Sequence, residues 1–293
     1  MDKAKQAILK TLAYADIFNY PLTAKEIHHW LISSTPIKLI NLNFKNIPKI
    51  ANYFHLPSRQ STVKLRRHHA KSSLKKLKIA QRIANYLKFI PTIKLIAITG
   101  ALSMNNSNEH DDIDLLIITK TNQLWTTRLI SILFLELIGK RRRPGSELSA
   151  SAASLEVSSE PSSSSKNKIC LNLFLDESSL VLPKTKRNLY TAHEVVQIKP
   201  IFDRGNTYQD FLNANSWVKQ FLPNALTTTL TRTVPVTVKN FLEPLAYKLQ
   251  LKIMKKKRTR EKISPHSAFF HPRPTNKIVL NQYHQKLKGL KLK

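Results

Sequence analysis

Cysteine is almost missing from this chain of 293 residues, in which Cys170 stands alone. One thiol excludes an intrachain disulfide framework and any zinc site built on several cysteines, and it suits a reducing compartment. Glycine is nearly as scarce. The five glycines never fall as GxGxxG or as a Walker phosphate loop, which removes both of those nucleotide cradles. Long apolar runs are missing too. The longest, 129–138 (LISILFLELI), reaches only about half of the roughly 20 residues that span a bilayer, and Glu136 interrupts it. It reads as a buried helix. The N-terminus has neither the apolar stretch nor the small-residue cleavage site of a secretory signal, so a cytoplasmic protein without a membrane partner is expected.

Acid is the deepest shortage. Eighteen Asp and Glu stand against 48 Lys and Arg, a net charge of +30. Such an excess attracts a polyanion, whether nucleic acid, an anionic surface or nucleotide phosphates, but it does not specify a fold. Hydrophobic residues make up 42%, enough to rule out wholesale disorder, and the length suits about two domains.

Along the chain the pattern changes several times. Residues 3–18 carry a helical stripe, and Thr23 with Glu26 forms a T-x-x-E capping box that opens a second helix. With the Pro-broken, basic stretch that follows, 1–65 reads as a winged-helix-like domain. A basic amphipathic linker helix covers 66–91. From 92 the signal turns to buried strands: KLIAITG, then DIDLLIIT, then a helix ending near Gly139, then KICLNLFL. A segment of ten serines, three glutamates and no Lys or Arg at 146–165 reads as a disordered insertion. The region 186–293 reads as mostly helical with a basic tail, its apolar stripes including Phe241, Leu242, Leu245, Leu249 and Ile253. The expected fold class is α+β, a small mixed sheet at 92–185 flanked by helices. His193-Glu194 opens one of the helices and reads as a cap and surface pair. Cys170, inside an apolar strand with no base nearby, is a poor nucleophile.

The scarce acids are not scattered. Glu109, Asp111, Asp112 and Asp114 fall within six consecutive residues. In a strand Asp112 and Asp114 share a face. Carboxylates about 7 Å apart repel by about 2 kcal/mol at an effective dielectric near 20, and a divalent cation removes that cost. Hard oxygen ligands with room for phosphate suit Mg²⁺, so Asp112 and Asp114 are expected to hold one or two such ions.

The arrangement strand, Gly100, polar loop, Asp112-Ile113-Asp114, strand resembles the nucleotidyltransferase superfamily typified by DNA polymerase beta. That resemblance implies Mg²⁺-dependent transfer of a nucleoside monophosphate from a nucleoside triphosphate to a hydroxyl. Gly100 matches the turn glycine, and Asp112 and Asp114 match the metal-binding acids. Ala101 stands where the family has serine, so Ser103 and Arg128 are the candidate phosphate contacts. The family's third acid falls at Asn172, a neutral residue, with Asp176 as the alternative further along the same expected strand face. A second class of function remains open: a degenerate core in a nucleic-acid-binding regulator.

Overall fold

The structure, a computed structural model, describes residues 2–142, 167–226, 240–254, 262–270 and 275–292. The expected serine-rich insertion lies outside the described residues, as does the basic run at 255–261. In chain order come α1 (Lys3–Asp16), α2 (Ala24–His29), a hairpin of two-residue strands β1 (Lys49–Ile50) and β2 (Tyr53–Phe54), and the long α3 (Ser61–Leu87). There follow β3 (Ile93–Ile98), α4 (Gly100–Ser103), β4 (Ile113–Thr119), α5 (Leu124–Leu137), β5 (Ile169–Asp176) and α6 (Leu189–Val196). The remainder is β6 (Lys199–Asp203), α7 (Thr207–Ala214), α8 (Glu243–Met254), β7 (Lys262–Ile263), β8 (Ser267–Phe269) and α9 (Thr275–Gly289).

The fold is α+β with a mixed six-stranded sheet of order β6-β3-β4-β5-β8-β7. Only β4 and β5 pair in parallel, and the other neighbours are antiparallel. Helices cover both faces, which explains why β4 reads as an unbroken apolar run rather than an alternating one. Ile113, Leu115 and Ile117 point into a core made with α3, α5 and α8. Leu116 and Ile118 point to the other side, toward α1, α2, α6, α7 and α9. The N-terminal helices share that second core with the sheet. The capping box forms as spelled: Thr23 Oγ1 accepts from the Glu26 amide, and Glu26 accepts from the Thr23 amide at 2.8 Å. Glu26 then takes up Arg66 of α3 at 2.5 Å, so this arginine of the basic helix is buried. Among the described residues no helix is long and apolar enough to cross a membrane.

Four elements depart from the expected pattern: β6, β7 and β8 are strands within the region read as mostly helical, and α8 turns its apolar stripe the other way. The stretch 199–203, read as helical, is the edge strand β6; it tolerates Pro200 because an edge strand has spare backbone donors to lose. On α8 the apolar stripe faces outward. Phe241, Leu242, Leu245, Leu249 and Ile253 are 46–90% exposed, whereas Glu243 and Gln250 are buried. The polar residues face inward because each completes hydrogen bonds that α5 lacks: Glu243 caps the α5 N-terminus, and Gln250 meets Arg128 and the Trp125 carbonyl.

Candidate functional site

The acidic cluster begins in a loop that a buried lysine holds in place. Lys76 of α3 is 1% exposed and donates to Ser107 Oγ at 3.1 Å, to the Asp111 carbonyl at 2.5 Å and to the Asn108 carbonyl. Asp111 turns back into its own loop, accepting from the Asn108 amide at 2.7 Å. Lys76→Met leaves those acceptors without their donor. The expected cost is about 1–3 kcal/mol, with faster amide exchange across 105–111 in hydrogen-exchange mass spectrometry; unchanged exchange there would refute the anchoring role.

Past this loop β4 carries Asp114 to the face shared with the N-terminal helices. Gly100, at the end of β3, has φ of +62°, and a Cβ there would lie 3.4 Å from Asp114 Oδ2. A side chain would be strained and would crowd the carboxylate, so the glycine keeps the space above Asp114 open. The other oxygen, Asp114 Oδ1, is shut from solvent without a hydrogen-bond partner. Burial pushes the Asp114 pKa up to about 6; nearby Cys170 and Arg142 pull it down, while Asp112 and Asp111 add to the rise. Asp112 pairs with Arg142, Oδ2 to Nε 2.8 Å. The Cys170 thiol is pushed up to about 12 by burial and by Asp114, so it stays protonated.

Asp114 and Arg142 open on a cavity of about 1000 Å³ between the sheet and the layer of α1 and α6, whereas Asp112 and Cys170 are not among its lining residues. Gly100, Ala101, Asp114 and Asn172 line it. Asn172 keeps the face that alternation predicts, and just beyond it the β4–β5 register slips: Leu115 pairs with Leu171 but Leu116 pairs with Leu173. The extra residue reverses the alternation beyond it. Phe174 therefore turns to the opposite core and Asp176 leaves the face on which it was expected. Asp176 instead accepts from the Asn122 amide, Ser178 and His266 (Nδ1 2.7 Å), joining β5 to the β7–β8 hairpin.

Two other expected contacts also lie elsewhere. Arg128 is 8% exposed beneath α8, donating to Gln250 Oε1 at 2.5 Å with its guanidinium 4.3 Å from the Phe270 ring centre. Its partners are structural, and it does not line the cavity. Ser103 donates to the Gly100 carbonyl at 2.7 Å, closing the short α4.

In place of Arg128 the cavity has a cationic wall no motif announced. Lys186, Lys262 and Lys277 line it, and no carboxylate pairs with them among the described residues. Lys186 lies 4.5 Å from the Phe269 ring centre, and burial followed by the repulsion of Lys262 lowers its pKa.

Comparison with protein-family models, with curated proteins and with solved structures finds no match for this chain.

The same cavity is lined by the pair first read as a cap and surface feature. His193 is 7% exposed, stacked on Tyr14 (ring centres 4.0 Å apart, planes at 8°) and near Trp30 at 5.5 Å. Burial, with His29 nearby, takes its pKa down to about 3, so the ring is neutral. Its Nε2 is buried without a partner, an omission that costs about 1–3 kcal/mol. Glu194 is partly buried and accepts from Gln197 Nε2 at 2.5 Å. Burial pushes its pKa up to about 7; the Gln197 hydrogen bond opposes the shift and Asp114 adds to it. Neither residue was recoverable from sequence, because what makes them notable is the wall they share with Asp114, some eighty positions away in the chain.

Proposed function

We propose that this protein is a nucleotidyltransferase of the polymerase-beta type, moving a nucleoside monophosphate from a nucleoside triphosphate to a hydroxyl acceptor. The observation that carries the reading is Gly100 held at positive φ against Asp114, a residue that lines a cavity of about 1000 Å³ and has one buried oxygen without a partner. Asp112 and Asp114 suit Mg²⁺: both are hard oxygen donors, and Asp114 Oδ1 is without a proton donor. Among the described residues no third His, Cys, Asp or Glu joins them, so the ion's other positions would fall to water and phosphate oxygens. When bound, Mg²⁺ neutralises phosphate charge and stabilises the leaving oxygen. Arg142 competes for Asp112 and has to release it if both carboxylates are to share one ion. The lysines supply fixed positive charge for phosphates in the same cavity, the task first expected of Arg128.

Titration calorimetry with ATP, CTP, GTP and UTP in Mg²⁺ tests the reading. At least one is expected to bind, and Asp112→Ala with Asp114→Ala is expected to abolish that binding. Equal affinity in the double variant would end the proposal. Lys186→Met is expected to weaken the bound triphosphate about 3–10-fold, read by the same titration, without changing the affinity for the bare nucleoside.

A second reading has its own observation. Lys64, Arg67, Lys71, Lys75, Lys78 and Arg82 are exposed on α3 at spacings of three and four, a single row along one helix face. No carboxylate pairs with them among the described residues. Such a row suits a phosphate backbone, and nucleic-acid affinity falling steeply with salt would support it.

A further inference from the structure

His193 has no structural reason to be polar. Its ring is clasped by Tyr14 and Trp30, contacts a phenylalanine would make as well, yet its Nε2 is buried with no hydrogen-bond partner. Buried polar groups are nearly always satisfied, and one left unmet on a side chain that lines a cavity points to a partner that arrives from outside. Glu194, next in sequence, lines the same cavity with one oxygen held by Gln197 and the other unengaged among the described residues. The surrounding wall is aromatic and aliphatic, including Tyr14, Trp30, Leu182 and Phe211.

We infer that this end of the cavity binds a small uncharged molecule with an aromatic or aliphatic body and a hydroxyl group, the hydroxyl lying between His193 Nε2 and the Glu194 carboxylate. A body of this kind matches the apolar wall, and the hydroxyl supplies what the histidine lacks. The carboxylates of Glu194 and Asp114 disfavour a phosphodiester backbone in the same place. The basic row that would attract one lies on α3, whose Ala80, Ile83, Ala84 and Leu87 pack against the other face of the sheet.

As a site for the acceptor, this rests on the nucleotidyl-transfer reading; as a ligand site it does not. In the transfer, the acceptor O–H bond breaks and its proton passes to the Glu194 carboxylate. The acceptor oxygen bonds to the α-phosphorus, and the bond from that phosphorus to the β-phosphate bridging oxygen breaks, its electron pair leaving with pyrophosphate. Glu194 is thereby the catalytic base that neither Asn172 nor Asp176 provides, while His193 positions the hydroxyl.

The test uses the full chain without metal or nucleotide, with 2-(4-fluorophenyl)ethanol and 1-ethyl-4-fluorobenzene as fluorine NMR probes. The alcohol is expected to bind at least fivefold more tightly than the hydrocarbon. His193→Phe, which keeps the ring stack, and Glu194→Gln are each expected to erase that preference while leaving hydrocarbon binding unchanged. Equal binding of the two probes to the wild type, or a preference that survives both variants, overturns the site. A second arm adds Mg²⁺ and α-labelled nucleoside triphosphates, with the alcohol and a 20-nucleotide RNA as competing acceptors. Label on the alcohol supports the acceptor assignment. Label on the RNA overturns it and leaves nucleotidyl transfer standing. Selective alcohol binding with no label on either supports the ligand site and counts against the transfer reading.

Discussion

Asp114→Asn is expected to make the protein more stable at pH 8 and unable to bind Mg²⁺-nucleotide. The native carboxyl titrates at about 6, against 3.8 for an unperturbed one, chiefly because burial penalises its charge. The folded state therefore holds the proton more tightly than the unfolded chain does. Below about pH 4 both states are protonated and the residue costs nothing. Between about pH 4 and 6 the unfolded chain ionises first, and stability is lost; above pH 6 the full penalty stands. Two pKa units correspond to at most about 3 kcal/mol, and a gain of about 1–3 kcal/mol is expected on removing the charge. Thermal melts at pH 8 and pH 4 check the sign: the variant gains several degrees at the first and almost none at the second. Calorimetry then reads the loss, a fall of at least 100-fold in Mg²⁺-nucleotide affinity. An equal gain at both pH values would show that the charge is not the cause. Stability returned by deleting a polar group is the signature of a site kept for binding.

Glu243→Ala is expected to cost about 2–4 kcal/mol and to leave the cavity untouched. Helix α5 has no side-chain cap of its own at Gln123. Its first amides are satisfied from another helix: Glu243 accepts from Trp125 N at 2.6 Å, Thr126 N at 2.9 Å and Thr126 Oγ1 at 2.7 Å. The carboxylate is 8% exposed and lies at the positive end of the α5 dipole. Truncation strands one buried and two part-buried donors and loosens α8 on α5 together. Urea denaturation reads the loss, and Glu243→Gln, which retains one acceptor oxygen, is expected to recover about half of it. A change below about 0.5 kcal/mol would mean that water caps α5 as well as Glu243 does.

What was legible in the chain were the elements whose signal is local. A capping box involves residues three apart, and the strands of the sheet centre are buried on both faces, so Thr23, Glu26, β3, β4 and β5 were all apparent from composition and period. Gly100 and Asp114 belonged to the same class, a turn glycine and a strand acid brought together by two neighbouring strands. The short edge pieces escaped. β6 has five residues and a proline, and β7 and β8 have two and three, too few for an alternation to show.

The sequence by itself determined that acid is scarce and clustered, that the sheet is mixed and flanked by helices, and that Asp114 follows a glycine turn. Tertiary structure decided the rest of the site. The register slip at Asn172 reversed the facing of the rest of β5 and sent Asp176 to His266. The uncapped start of α5 drew Glu243 inward and turned the apolar stripe of α8 outward. The packing of α6 on α1 and α2 buried His193 and half-buried Glu194 beside the cavity that Asp114 faces. Each outcome depends on where distant backbone leaves a hydrogen bond unmet or a face uncovered, and no local pattern of residues records that.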